Sequence, residues 1–262
     1  MSKYNISFMH LKLVLRSGTR YTAFGQTIVS CFLLISMIST SGNLSAQDFG
    51  TNRDNQSWNT IRITTPINNS WSVSLQNEAR FTEDMTNLDE YIIKLYAHHK
   101  FSEKFGLSFG YKHINRPSDF NETDPWAELV FPRRYNKWHF GHQVRFETRF
   151  SSDLPGILPR VRYLLSYSRQ LGDTPWYVAG FGAVRFNLDE KGTGPVSGFE
   201  QMRANVGLGY HIGGFTRLEV GYLYRFERSR EAADLSDNVL HVNLFFTTKR
   251  KPKWPLPNDH FQ

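Results

Sequence analysis

Between Trp138 and Phe150 the chain alternates without a slip. Trp138, Phe140, His142, Val144, Phe146, Thr148 and Phe150 fall on one side, and His139, Gly141, Gln143, Arg145, Glu147 and Arg149 on the other. Successive side chains of a strand point to opposite faces, so this segment has an aromatic face and a charged face. The pattern recurs from about Trp58 to Phe246 in runs of roughly ten residues, each ended by a break. A soluble barrel packs its bulky apolar residues inside and turns charge outward. Here arginine and glutamate share one face while the rings form the other, which fits the inverted arrangement: apolar side chains against lipid, polar ones inside.

Eleven strands are legible, near 56–66, 70–82, 89–101, 105–115, 125–134, 137–151, 158–171, 174–188, 198–211, 215–227 and 237–247. The outward sets include Trp71, Val73, Leu75 and Phe81 in the second and Phe105, Leu107, Phe109 and Tyr111 in the fourth. Connections alternate in kind. Tight ones hold Asn68-Asn69-Ser70, Ser102-Glu103-Lys104, Asn136-Lys137, Gly172-Asp173-Thr174 and Ile212-Gly213-Gly214; longer ones span 82–89, 115–125, 151–158, 188–198 and 227–237. Outer-membrane barrels show this asymmetry, with short periplasmic turns and longer external loops. Because bacterial barrels close with even strand numbers, the reading is an all-β transmembrane antiparallel up-and-down β-barrel of about twelve strands, the extra one at 47–55. The alternative, ten strands with 125–134 as loop, spoils the alternation of turns.

Mean hydropathy is −0.46, which does not oppose a membrane barrel, since only alternate residues meet lipid. The first 46 residues read as a cleaved signal peptide. Lys3, Lys12, Arg16 and Arg20 precede a short apolar core at 27–38, and Ser45-Ala46 offers small residues for cleavage. The barrel then occupies 47–248, and 249–262 is a Pro/Lys-rich tail. Removing the four basic residues lowers the formal net charge from +7 to 7 − 4 = +3, which weakens a nucleic-acid reading. The single cysteine, Cys31, leaves with the signal, so no disulfide framework remains.

The inward faces collect charge, and Arg80, Arg145, Glu147, Arg149, Arg160, Arg162, Arg203, Arg217 and Glu219 are the candidate lumen residues. A barrel this narrow brings them together in a non-enzymatic role, either as an ion-paired structural filling or as a basic passage or pocket for a small anionic solute or lipid head group. No catalytic residue, cofactor or metal is assigned. No hydrolase, P-loop or HExxH spacing is present, and His98-His99 puts one ring on each face. A lipid hydrolase or lipid A-modifying barrel is the alternative, since serine–histidine adjacency across strands cannot be read from one sequence. Trp58, Trp71, Trp126, Trp138, Trp176 and Trp254 mostly mark segment ends and read as interfacial girdle anchors. The expected partners are outer-membrane lipids, with the barrel assembly machinery during insertion.

The stretches Leu75–Phe81, Leu107–Tyr111, Val144–Phe150, Arg160–Leu165, Gln201–Tyr210 and Leu218–Tyr224 together resemble a family of Bacteroidota outer-membrane proteins classed as domain of unknown function 2490. The likeness covers nearly all of the chain after the signal. It implies a small barrel in the outer membrane of a Gram-negative cell, and no activity, cofactor or catalytic residue. A glutamate expected in the strand at 174–188 is replaced by Ala183-Val184-Arg185-Phe186.

Overall fold

A computed structural model describes residues 52–117, 121–152, 156–190, 197–229 and 233–248; the expected signal peptide and C-terminal tail lie outside these residues. Eleven strands form one closed barrel: β1 (Asn52–Pro66), β2 (Trp71–Thr82), β3 (Asn87–Ser102), β4 (Phe105–Asn115), β5 (Asn121–Tyr135), β6 (Trp138–Ser151), β7 (Ile157–Gln170), β8 (Trp176–Asn187), β9 (Gly198–Ile212), β10 (Thr216–Glu227) and β11 (Leu235–Thr247). Each pairs antiparallel with its sequence neighbours.

The closure corrects the expected count of twelve, or ten. β1 and β11 run parallel, through thirteen registered pairs from Asn52↔Leu235 to Thr64↔Thr247. An even number is needed only when the closing pair is antiparallel, so a parallel seam resolves the parity without a further strand. Residues 52–55 of the proposed extra strand lengthen β1 instead.

The register fixes the tilt. In-register partners from Pro66 run through Ser72, His98, Ser108, Glu128, Arg145, Arg162, Arg185, Gln201, Glu227 and Leu235, and return to β1 at Asn52. The circuit climbs 66 − 52 = 14 residues, which requires strands inclined by roughly 40° to the barrel axis. The strands meet in tight turns at one end, at 67–70, 103–104, 136–137, 171–175 and 213–215. At the other end the connections are 83–86, 116–120, 152–156, 188–197 and 228–234. The first of these is shorter than expected: Glu83, Asp84 and Met85 all take positive φ, and the Asp54 carboxylate accepts the Glu83 and Asp84 amides at 3.1 and 3.0 Å.

Burial is inverted, as the alternation requires. Seventeen Asp, Glu, Lys and Arg side chains are buried, whereas such residues are almost never buried in a soluble domain unless paired. Outward, Leu75, Leu95, Phe109, Phe146, Val206, Leu208 and Tyr222 are each more than 40 % exposed. On β11 that face is buried at Val242 and Leu244. Rings gather at two levels of the outer wall. At the tight-turn end Trp71, His99, Phe101, Phe105 and Phe131 touch in series at centroid distances of 4.4, 4.4, 5.3 and 5.4 Å, and Trp176 meets Tyr210 at 4.7 Å. Toward the other end Phe186, Phe199 and Phe226 form a second group. On β6, Phe140 and Phe150 lie ten residues apart, which at about 3.3 Å per residue and the same tilt is about 25 Å of height.

Candidate functional site

The interior has two halves of different chemistry. Toward the tight turns it is filled. Gln76, Ser108, Glu128, Val130 and Gln143 are fully buried, and Thr64 and Ser74 share a hydrogen bond of 2.9 Å. Across from them Tyr177 donates to Glu219 Oε1 at 2.6 Å, and its ring covers Gly209, where a Cβ would lie 2.0 Å from Cζ. Glycine there leaves the room that the ring occupies. Above this layer Trp58, Leu164, Ala179, Phe181, Ala183, Leu223 and Val239 join Tyr177 in an apolar cluster inside the barrel. Leu164, Phe181 and Ala183 also line the cavity above, so the cluster forms its floor and, with the buried layer beneath, plugs the lower interior.

Above the plug, in the half nearer the longer connections, lies a cavity of about 120 Å³. Eleven cations line it: Arg80, Lys94, Lys112, Arg116, Arg145, Arg149, Arg160, Arg162, Arg185, Arg203 and Arg225. Among the described residues nine carboxylates line it or pair with these cations, leaving an excess of two positive charges. Glu78 holds Arg80 at 2.6 Å and Lys94 at 2.9 Å, and Glu90 holds Arg80 at 2.6 Å and also Arg116. Glu122 meets Arg149 at 2.7 Å, Arg160 at 3.1 Å, Arg116 at 3.6 Å and Lys112 at 3.7 Å. Asp124 pairs with Lys112 and Arg160, and Glu147 with Arg160 at 3.3 Å and Arg145 at 3.6 Å. Glu128 accepts from Arg145 at 2.8 Å and Arg162 at 3.3 Å. Glu200 faces Arg185 at 2.8 Å, Asp237 faces Arg225 at 2.5 Å, and Glu227 lies 3.5 Å from Arg225. Removed from water, such pairs persist only with shared hydrogen bonds, and most of these cations have two anions in reach.

Like charges also stand directly opposite one another. Arg145, Arg162 and Arg185 are in register across β6, β7 and β8; Arg203 and Arg225 across β9 and β10; Lys94 and Lys112 across β3 and β4. Such pairs oppose folding. Two indoles relieve part of this. The Arg145 guanidinium lies 3.8 Å from the Trp126 ring centre, while Arg80, Arg203 and Arg225 lie 3.8, 4.8 and 5.6 Å from that of Trp58.

Of the nine candidate residues, Arg80, Arg145, Glu147, Arg149, Arg160, Arg162 and Arg203 line this cavity. Arg217 and Glu219 do not. They sit in the plug, 3.6 Å apart, with the Arg217 guanidinium 4.4 Å from the Phe245 ring. Their strand parity is right, but they follow the tight turn at 213–215 by two and four residues, which places them at the filled end. Trp58 and Trp126, read as girdle anchors, are 2 % and 5 % exposed and point inward. Parity could have shown this, since Trp58 shares a face with Arg62, and Trp126 with Glu128. Glu90, Glu122 and Asp124 escaped notice because they flank or interrupt the clearest runs.

One serine–histidine contact exists that sequence spacing could not reveal. His98 Nδ1 and Ser108 Oγ are 3.0 Å apart across β3 and β4. Both are buried, neither lines the cavity, and the His98 ring packs over Gly106. A nucleophile needs access to a substrate as well as a base, and Ser108 has none here. Among the described residues, no group of three or more His, Cys, Asp and Glu could hold a metal ion.

Residues 55–236 match a family described as "Protein of unknown function (DUF2490)". An uncharacterised protein of Methylorubrum extorquens is 25 % identical over 226 residues, covering 80 % of this chain and 93 % of the relative. An anion-selective porin from Comamonas acidovorans superposes with a TM-score of 0.36 at 11 % identity; the match covers 68 % of this chain and 53 %, about half, of the porin.

Proposed function

The chain belongs to the DUF2490 family, and from the geometry of its barrel we propose that it is an integral outer-membrane protein whose charged interior holds the wall together and presents a closed-bottomed binding cavity. It is not a conduit in this reading, and it has no catalytic role. The observation that carries the proposal is the inversion of burial. Seventeen charged side chains lie inside while leucines, valines and phenylalanines cover the outside. In water that surface would aggregate; in lipid it is the favourable arrangement. The height of about 25 Å between Phe140 and Phe150 supports the same placement, because it equals the apolar band of a membrane barrel. The signal peptide expected at 1–46 supplies the export route, with outer-membrane lipids and the barrel assembly machinery as partners.

The plug supports a cavity over a passage. Tyr177, Phe181, Leu164 and Leu223 stand where a channel would run. Purified protein tests both parts. It should remain monodisperse only in detergent or lipid and should give no conductance steps in a planar bilayer. Monodispersity in plain buffer would overturn the membrane placement, and reproducible steps from folded protein would overturn the plug.

A further inference from the structure

Among the described residues, Arg203 is the one cavity arginine that no carboxylate of the barrel pairs. Among the described residues no carboxylate oxygen lies within 4.0 Å of it, whereas every other arginine lining the cavity has one. Its Nε is buried without an acceptor. Its in-register partner across β9 and β10 is another arginine, Arg225. Both lie beside Trp58 together with Arg80, three guanidinium groups around one indole. Neutral or acidic side chains could have filled this position without repulsion, so the arrangement is unfavourable in the empty barrel. An anion bridging Arg203 to its neighbours reverses the sign of each of these repulsions.

We propose that the cavity binds an oxyanion of the phosphate class, with the Arg203 guanidinium as its principal donor and Arg80 and Arg225 as flanking donors; this rests on the closed-bottomed cavity proposed above. The guanidinium fork matches the spacing of oxygens on a tetrahedral oxyanion or a carboxylate. The cavity's volume of about 120 Å³ accommodates such a group with accompanying waters, and its two surplus positive charges match a divalent anion. Trp58 does not line the cavity but backs the three guanidinium groups with a ring that is apolar yet tolerant of cations. The shared chemistry is the phosphate group itself, which a free solute or a lipid headgroup could carry.

Calorimetric titration of the detergent-purified full chain with inorganic phosphate tests this, with sodium chloride at matched ionic strength as reference. Phosphate should release heat and raise the unfolding temperature, where chloride does neither. Arg203→Gln should weaken phosphate binding by at least about tenfold. The same substitution should raise the unfolding temperature of the phosphate-free barrel, because it removes an unmatched cation; a purely structural arginine would lower it. Arg133→Gln, at the tight-turn end, should change neither reading. A phosphate response unaltered in Arg203→Gln, or an Arg203→Gln barrel that is less stable without phosphate, overturns the proposal. A response only to micelles doped with a phosphate-monoester lipid keeps the site and assigns it to a headgroup. Silence toward both probes ends it. Phosphate binding by a protein that proves soluble without detergent would leave the site standing and remove the membrane placement alone.

Discussion

Glu128→Gln separates the contribution of buried charge from that of buried shape. Glu128 is fully buried and accepts Arg145 Nε at 2.8 Å and Arg162 Nη2 at 3.3 Å. The amide has the same size and keeps one acceptor, but it removes the carboxylate within salt-bridge reach of Arg162. Arg162 would then stand in register between Arg145 and Arg185 with no carboxylate oxygen within 4.0 Å among the described residues. Deleting one partner of a buried pair costs about 3–5 kcal/mol. The retained amide oxygen returns about 1 kcal/mol as a neutral acceptor. The expected loss is therefore about 2–4 kcal/mol, read as the shift in urea midpoint of the barrel in detergent micelles, with the slope unchanged. Adding Arg162→Gln should recover at least half of it, since the stranded cation leaves with its anion. A shift below about 0.5 kcal/mol, or a double variant no more stable than the single, would refute the reasoning and mean that cavity water screens these charges.

Leu95→Arg, on the outer wall near mid-height, should cost about 2–4 kcal/mol for folding into lipid vesicles, while a water-exposed leucine would tolerate the change; equal stability of the two forms in vesicles counts against membrane placement. Asp54→Ala removes both acceptors from the positive-φ turn at Glu83–Met85 and should cost about 1–3 kcal/mol, with faster amide exchange confined to 83–86. Gly209→Ala places a methyl in the Tyr177 ring and should lower the unfolding temperature, and Tyr177→Leu in the same chain should restore part of the loss. If Gly209→Ala is neutral by thermal scan, Tyr177 does not fill the plug as described.

The alternation carried most of the architecture. From Trp138 to Phe150 each residue faces the side that its parity assigns, and all eleven expected strands exist within a few residues of their places. What parity cannot supply is height. Arg217 and Arg203 belong to inward faces alike, yet Arg217 stands two residues after the tight turn at 213–215 and Arg203 ten before it, which puts one in the plug and the other in the cavity. The strand count failed for a related reason: even parity presumes an antiparallel seam, and pairing of the first and last strands is the longest-range contact in the chain. The tryptophans misled because a strand end is a chemical hint, while Trp58 and Trp126 follow the geometry of their faces. Cross-strand neighbours such as His98 with Ser108 depend on register, which no single stretch of residues encodes.

The parallel seam has a consequence for sidedness. A chain that crosses an even number of times comes back to the side from which it set out, whereas eleven strands placed in the membrane as proposed above finish on the opposite side. Epitopes inserted ahead of Asn52 and behind Thr247 would be shielded from each other by the whole thickness of the sheet of lipid. One antibody applied to intact cells would then reach a single epitope of the two, and which one it reaches reports the orientation of the molecule directly.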